Sequence, residues 1–481
     1  MKQNQKPLRV LLLLIPIILG MIGLFVLEKE PFMDALFRCV QMYVLNYSDT
    51  PPNLFVEAAR WIAPLASAYS VLLISAALRA RLQNLLRSRH ADAVAVYGPE
   101  EECAPLLASL DRKGVSGGSA PAGTARHILL WNEEENFRFY TRYRDALAGK
   151  GVFLKCGSLP AQAALGADLH IFCPEETAAR LYWKDHCLYE TSCACSHKMQ
   201  IVLIGFGKLG SELLTSALQS NIFSPDQRVE YHVFRGDPSY LKIHHELGNL
   251  QDLVLFHEEP WQDNLALLES AERILIVQQE GQTELLAQLL LAVNSPRIDL
   301  FDANAAASSL LDGKDRIVRF PWKEIAYRPE NILSEDLYRR AKALNLRYAH
   351  LYAGAAETEE NREAEWRKLD TFTRYSNISS ADYHEIRLKM LQGMGEPSDP
   401  DRISPSCMEL LAELEHTRWC RYHWLNNWTC GVPEGGGNKD SARKIHADLR
   451  PYDQLSEQEK QKDRDAVYLL LELDKSGGST V

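Results

Sequence analysis

Residues 10–27 (VLLLLIPIILGMIGLFVL) are an apolar run without a single charge. A helix of this length, at about 1.5 Å per residue, reaches roughly 27 Å, close to the hydrocarbon thickness of a bilayer. A cleaved secretory signal is the alternative interpretation. However, Glu28, Lys29, Glu30 and Pro31 follow directly, and no small-residue cleavage site separates them from the run. The run therefore predicts a transmembrane helix.

A second apolar stretch covers residues 54–78, and its uncharged part, residues 61–78, begins with Trp61, which suits a membrane interface. Basic residues flank the two stretches on their outer sides: Lys2, Lys6 and Arg9 before the first, and Arg79, Arg81, Arg87 and Arg89 after the second. By the positive-inside rule, both termini lie in the cytoplasm. The expectation is a multi-pass protein of a bacterial inner membrane, with the lipid bilayer as a partner.

The loop between these stretches contains an apolar segment, residues 33–45, that is too short to span a bilayer. A polar turn with two prolines follows it at residues 46–52. This order resembles two-span cation channels, and the resemblance implies a homotetramer with a pore half-helix. The pore-lining candidates are Asn46, Tyr47, Ser48 and Asp49. No TVGYG filter is present, and an amphipathic interfacial helix in a hairpin anchor is the alternative.

The charge and the cysteines restrict the function further. A net charge of −11 argues against a nucleic-acid partner, because little counterion release from phosphates is available to such a chain. The ten cysteines form no C-x-x-C pair, which is typical of reduced thiols. His186, Cys187, Cys193, Cys195 and His197 cluster, but their spacing is not that of a standard zinc site, so no metal is expected.

After residue 91, short apolar strands alternate with helical stretches, a pattern typical of a parallel α/β sheet. The predicted strands are residues 93–97, 128–131, 152–155 and 169–173, and residues 114–123 are predicted as a loop. Gly98 after the first strand is followed by proline and three glutamates, with no second glycine for a pyrophosphate to approach. This predicts a degenerate Rossmann-like domain without a ligand.

A second α/β unit begins with the strand at residues 200–204, and Gly205-Phe206-Gly207-Lys208-Leu209-Gly210 opens a helix directly after it. This is the G-x-G-x-x-G pattern in a strand–turn–helix context. The candidate nucleotide-binding residues are Gly205, Gly207, Lys208, Gly210, Arg235 and Asp237. An NAD site favours an acid at the end of the second strand, where Arg235 stands here, so the ligand is left as a nucleotide or dinucleotide. The alternative is a Rossmann fold retained for structure alone.

Two Rossmann-like units placed after two predicted membrane spans resemble the regulator-of-potassium-conductance domains of the TrkA-N type. The resemblance covers residues 91–353 and is carried mostly by the architecture and by the motif Gly205–Gly210. It implies a cytoplasmic ring formed by four subunits and gating by a small ligand.

The most specific sequence pattern of the chain lies near the C-terminus, after a Gly-, Pro- and Asp-rich boundary at residues 393–405. It includes a helix with Glu415, Arg418, Trp419 and Tyr422 on one face, and a capping box that begins at Ser456. Residues 405–473 resemble the RyR domain, the repeat named after ryanodine receptors. The matching positions are Leu411, Ala412, His416, Trp419, Arg421, Trp428, Gly431, Lys444, His446, Leu449, Pro451, Tyr452, Leu455, Lys460, Asp463 and Arg464. Cys430 departs from the aromatic residue that the family usually has.

The RyR resemblance implies a nucleotide-derived ligand. Aromatic rings offer stacking faces for a base, and basic side chains offer donors for phosphate. The candidate ligand-binding residues are His416, Arg418, Trp419, Arg421, Trp428, Lys444, His446 and Tyr452. The alternative is that the tryptophans belong to the core and the charges to a solvated face.

Together these observations predict an α-helical membrane hairpin with a pore half-helix, tandem α/β Rossmann-like domains and a mainly α-helical RyR domain. The expected boundaries are 1–90, 91–196, 197–355, 356–404 (a linker) and 405–475. The predicted function is a channel or channel-like effector gated by a nucleotide-type molecule. A non-conducting membrane-anchored nucleotide sensor and a tethered NAD(P)-dependent enzyme are the alternatives. No nucleophile–base motif stands out, so the chain is not expected to be an enzyme.

Overall fold

The computed structural model describes residues 14–88, 90–157, 169–195, 198–302, 316–334 and 336–475. The chain divides into two compact units, Met1–Ala91 and Asp92–Val481.

The first unit is helical. Residues 14–21 form an α-helix that continues as a π-helix, Ile22–Leu27, and two helices follow, α1 (Phe32–Tyr43) and α2 (Leu54–Arg87). Gly23 permits the close approach of the π-helix to α2, because a Cβ atom at this position would lie 2.4 Å from the Val56 side chain. The small core includes Ala35, Cys39 and Met42, spaced along one face of α1.

In the part of the chain that the structure describes, no helix combines the length and the apolarity needed to cross a membrane. This finding contradicts the predicted membrane hairpin, and with it the multi-pass inner-membrane location with both termini in the cytoplasm. Residues 10–13 of the first predicted span lie outside the described residues.

The second unit opens with a five-stranded parallel sheet in the order β2-β1-β3-β4-β5. Its strands are β1 (Val94–Tyr97), β2 (Gly114–Ser116), β3 (Arg126–Leu129), β4 (Gly151–Lys155) and β5 (Leu169–Phe172). Its helices are α3 (Glu100–Leu110), α4 (Glu133–Arg142), α5 (Arg144–Leu147), α6 (Pro174–Asp185) and α7 (Tyr189–Ala194). The range 114–123, predicted as a loop, starts with β2, which the sequence pattern missed because this strand is short and begins at a glycine.

A six-stranded parallel sheet follows, in the order β11-β10-β9-β6-β7-β8. Its strands are β6 (Met199–Ile204), β7 (Val229–Phe234), β8 (Leu253–His257), β9 (Arg273–Ile276), β10 (Arg297–Phe301) and β11 (Ile317–Phe320). Its helices are α8 (Gly207–Ser220), α9 (Ser239–Ile243), α10 (Leu265–Ser270) and α11 (Gln282–Ala292). Counted from β6, this is the 3-2-1-4-5-6 order of dinucleotide-binding sheets, in which the strand order reverses between the first and the fourth strand.

The rest of the unit is mainly helical. Its helices are α12 (Trp322–Ala326), α13 (Pro329–Leu333), α14 (Asp336–Ala353), α15 (Glu359–Lys368), α16 (Thr371–Met394), α17 (Pro405–Leu425) and α18 (Glu457–Lys475). A small sheet in the order β12-β14-β13 is formed by β12 (Thr429–Cys430), β13 (Lys439–Asp440) and β14 (Ile445–His446). The range 356–404, predicted as a linker, contains α15 and α16, and α16 buries Tyr383, Ile386 and Met390 in the main core.

Helix α17 is joined to the six-stranded sheet by buried polar contacts. The Arg421 guanidinium, 2% exposed, donates to Asp252 at 2.5 Å and to the Leu218 carbonyl at 3.1 Å. Nearby, the His244 ring lies 2.6 Å from the Leu425 carbonyl, and the Tyr383 hydroxyl donates to the Ile222 carbonyl at 2.6 Å. The C-terminal helices and the sheet therefore share one interior.

We predict that Arg421→Ala destabilises the protein by about 3–5 kcal/mol, because the buried Asp252 carboxylate loses its cationic partner. Urea unfolding of the full chain measures the change. Arg138→Ala is the control, since its pair with Glu134 is exposed and little loss is expected. An equal loss in the two variants would contradict the assigned role of Arg421.

Candidate functional site

The glycine loop lies where the order of the six-stranded sheet reverses. Gly205 follows β6 with a φ of +86°, and a Cβ atom there would lie only 2.5 Å from the Gln278 backbone nitrogen at the end of β9. Gly207 has a φ of +53°, and the space that its Cβ would occupy is open. Gly205 is therefore required by packing, whereas Gly207 leaves the first turn of α8 accessible to an anion such as a phosphate.

The side chains predicted around this loop already have protein partners. The Lys208 ammonium lies 2.6 Å from the Glu212 carboxylate, and Arg235 donates to the Gln278 side chain at 2.7 Å. Asp237 accepts the Ser239 backbone N–H at 2.8 Å. Gly210 lies against the Phe206 ring, where a Cβ would approach to 3.0 Å. The phosphate and ribose roles of these residues stay predictions.

The two arginines predicted to bind the RyR ligand, Arg418 and Arg421, already form hydrogen bonds with other groups of the protein. Arg418 makes two hydrogen bonds to Glu415, at 2.7 and 3.0 Å, and a third to Ser379 at 3.1 Å. Burial would raise the pKa of Glu415, but Arg418 and Arg387 hold it below its ordinary value. Arg421 reaches the six-stranded sheet, as described above. The charge of each guanidinium is therefore already balanced by a protein carboxylate and is not available to a phosphate.

His416 is held by acceptors at both ring nitrogens. Its Nε2 lies 2.8 Å from the Arg450 carbonyl, and its Nδ1 lies 3.2 Å from the Asp463 carboxylate. Burial lowers the pKa of His416, but the hydrogen bond to Asp463 and the contact with Cys420 outweigh burial and raise it to about 11. The two neighbouring oxygen atoms and the raised pKa favour the doubly protonated, imidazolium form of this ring.

A cavity of about 490 Å³ lies among α14, α16, α17 and α18, next to β14. We call it the RyR cavity. Four of the eight predicted ligand-binding residues line it: His416, Arg418, Trp419 and His446. The Trp419 and His446 rings meet edge to face, with centroids 4.9 Å apart.

The other four predicted residues lie outside the RyR cavity. Trp428 is 3% exposed and packs against Phe372, with centroids 5.1 Å apart. Tyr452 is also buried, and its hydroxyl donates to Glu409 at 3.0 Å. Lys444 donates to the Asn426 carbonyl at 3.0 Å and lines a different cavity, and Arg421 is bound to Asp252.

Sequence reasoning missed the part of the RyR cavity wall that precedes residue 403. Tyr348 and Tyr352 of α14 stack on each other, with centroids 6.1 Å apart and planes at 22°, and Ser376 and Asn377 of α16 complete this side. The i, i+4 spacing of the two tyrosines was a visible signal. Nothing in the local sequence indicated that α14 packs against the RyR helices.

The cations that line the RyR cavity are balanced by carboxylates. Arg418 pairs with Glu415, His416 with Asp463, and Lys462 with Glu459 at 2.6 Å. Burial lowers the pKa of His446, which favours its neutral ring. The cavity therefore offers aromatic faces and neutral hydrogen-bonding groups rather than surplus positive charge.

The four pore-lining candidates lie together in the first unit. Asn46, Tyr47, Ser48 and Asp49 all line a polar pocket beside Arg38, whose guanidinium is 3.1 Å from Glu30 and 3.5 Å from Asp49. Their pore role presupposed a chain that crosses the membrane, and it is not retained.

Comparison with known proteins identifies one part of the chain. Residues 403–474 match the protein family described as the RyR domain, which confirms that prediction. No curated protein matches the sequence. The predicted two-span and TrkA-N resemblances gain no support from these comparisons.

Among solved structures, the chain is similar to the crystal structure of a D-isomer specific 2-hydroxyacid dehydrogenase from Xanthobacter autotrophicus Py2. The match has 13% identity, covers 56% of this chain and 98% of that chain, and has a TM-score of 0.23. The expectation that the chain is not an enzyme is withdrawn. A TM-score this low carries no argument about the activity of this chain.

We predict that the His416 ring stays doubly protonated at pH 8, because its pKa of about 11 lies well above that pH. Nitrogen NMR of histidine-labelled full-length protein measures this, and His416→Gln assigns the signal. In Asp463→Asn the ring should become neutral at pH 8, since burial then opposes the charge. Asp448→Asn, which replaces the carboxylate 3.8 Å from the His446 ring, is the control and should leave the His416 signal unchanged. A wild-type His416 that titrates near neutrality would contradict the assignment.

Proposed function

We propose that this protein is a nucleotide sensor whose RyR cavity binds a nucleotide-type small molecule. The observation that supports the proposal best is the cavity itself. Its volume of about 490 Å³ lies within the roughly 300–1,000 Å³ range of small-molecule sites. Trp419, His446 and Tyr348 supply aromatic surface at its wall, which favours a planar ring in the ligand.

The pairing of charges in the RyR cavity indicates whether the phosphate or the base of a nucleotide would enter it. Its lining cations already have carboxylate partners, so a phosphate would have to compete with Glu415, Asp463 or Glu459. Asn377 and Asn438 offer both donors and acceptors, which suit the edge of a base or a ribose hydroxyl. We therefore propose that the base and sugar enter this cavity and that any phosphate stays near its mouth.

The glycine loop is a second candidate nucleotide site within the same proposal. It is supported by the strand order of the sheet and by the open space at Gly207, where α8 begins. Arg235 stands where an NAD site favours an acid, so a phosphorylated ribose fits this position better than a free 2′-hydroxyl.

For the RyR cavity, we predict that Trp419→Ala weakens nucleotide binding by roughly ten- to a hundredfold, the equivalent of about 1–3 kcal/mol for one stacked base. Calorimetry of the full chain with AMP, NAD⁺ and a cyclic dinucleotide provides the measurement. Trp424→Ala is the matched control, since Trp424 lies on the same helix but packs against the hydrophobic core. Equal affinities in the two variants for every ligand that binds would rule out the RyR cavity as the nucleotide-binding site.

For the glycine loop, we predict that Gly207→Asp lowers the affinity for NAD⁺ or AMP at that site by at least roughly tenfold, because it places a negative charge where the phosphate is expected. Aspartate tolerates the positive φ, so the fold should persist. Gly118→Asp, also in open space, controls for the added charge. Unchanged nucleotide affinity in Gly207→Asp would leave this Rossmann fold with a structural role only.

A further inference from the structure

A second and larger cavity, of about 740 Å³, lies between α8 and the N-terminal half of α16, with α6 at its floor. We call it the α8–α16 groove. One face of α8 lines it with polar residues spaced as helix neighbours: the exposed Lys208 and the half-buried Ser211, Glu212, Thr215, Ser216 and Gln219. The opposite face of α8, which includes Leu213 and Leu214, packs into the core. The polar face thus borders the groove, and its Thr215 hydroxyl also hydrogen-bonds the Tyr240 hydroxyl of α9 at 2.8 Å.

The opposite wall of the groove is aromatic. It is formed by Phe372 and Tyr375 of α16 and by Tyr422 of α17. The Phe372 and Tyr422 rings lie 5.0 Å apart, and the Tyr422 hydroxyl donates to the Phe372 carbonyl at 2.6 Å, which holds both rings in place. A flat ligand ring would therefore meet a preformed apolar face on one side and hydroxyl groups on the other.

The floor of the groove carries a buried glutamate, Glu176, and a buried arginine, Arg180, and each has unused hydrogen-bonding capacity among the described residues. Glu176 is 7% exposed, yet its contacts are a 3.4 Å hydrogen bond from the Tyr375 hydroxyl and Arg180 Nη1 at 3.6 Å. Arg180 donates through Nε and Nη2 to Asp382, at 2.6 and 3.0 Å, and through Nη2 to the Leu337 carbonyl at 2.8 Å, whereas its Nη1 has no hydrogen-bond partner among the described residues. A buried carboxylate is normally hydrogen-bonded more fully than Glu176 is here.

Charges on three helices face Glu176. Arg180 lies on its own helix, Lys208 and Glu212 lie on α8, and Asp382 lies on α16. Burial raises the pKa of Glu176 to about 7, and the two carboxylates act in the same direction against the effect of Arg180 and Lys208. The carboxyl group therefore changes its charge close to neutral pH.

We infer that the α8–α16 groove is a binding site for a purine nucleoside with a guanine-type edge. Such a base presents N–H donors that suit the Glu176 carboxylate and O6 and N7 acceptors that suit an arginine. The aromatic wall would stack the base, and Ser211, Thr215 and Ser216 would meet the ribose. This site involves neither Trp419 nor Gly207, so it is independent of the function proposed above.

The test is calorimetry of the full chain with guanosine, inosine and adenosine at pH 8, where Glu176 is ionised. Guanosine should bind most tightly, and inosine, which lacks the exocyclic amine, should bind more weakly. Glu176→Gln should weaken guanosine binding roughly tenfold, because a charge-assisted acceptor is lost. Ser216→Phe, which fills the groove, should abolish binding, and Glu190→Gln, an exposed acid on α7, is the matched control.

The pH profile gives a second readout. Guanosine affinity should fall as the pH drops from 8 to 6, because protonation of Glu176 removes the acceptor, and Glu176→Gln should flatten this profile. Trp419→Ala should leave guanosine binding intact, which separates this site from the RyR cavity. The inference is overturned if guanosine does not bind, if Glu176→Gln and Ser216→Phe both bind it normally, or if Trp419→Ala abolishes its binding.

Discussion

The C-terminal half of the second unit depends on one buried carboxylate. Glu415 of α17 accepts two hydrogen bonds from Arg418 and one from Ser380 of α16 at 3.0 Å, and it also contacts Arg387 of α16. Removing a charge from water is costly, and it is tolerated only when partners surround that charge. This requirement holds α16 and α17 face to face at a defined register. The walls of both cavities are built on these two helices.

Helix α16 separates the two cavities. Ser376, Asn377 and Ser380 face the RyR cavity, whereas Phe372 and Tyr375 face the α8–α16 groove. A ligand in one cavity can influence the other only if α16 has two arrangements with different affinities. Helix α8 adds a further connection, because it begins at the glycine loop and ends beside the carbonyl of Leu218, which Arg421 contacts. The three candidate sites are therefore connected through α8, which borders the glycine loop and the groove, and α16, which borders both cavities.

Local structural elements were predicted well from the sequence. The glycine loop was located correctly because strand, turn and helix follow one another within a few residues. Of the predicted capping box, the bond from the Glu459 N–H to the Ser456 hydroxyl is formed at 3.3 Å, while the Glu459 carboxylate binds Lys462. Strand β2 was missed because it has only three residues and begins at a glycine. The membrane hairpin was predicted from two apolar stretches and the basic residues that flank them, and the described helices contradict it.

By itself, the sequence determined the succession of two parallel α/β sheets and a RyR domain, because strand periodicity, glycine spacing and helix capping are local properties. Only the tertiary structure decided which polar side chains are available to a ligand. Arg421 looked like a phosphate donor until the fold placed Asp252, 169 residues away in the chain, at its guanidinium. Glu176 showed no signal at all, since its importance comes from a groove between helices that are distant in sequence. A buried charge must find a partner, and no local pattern of the sequence indicates which one it finds.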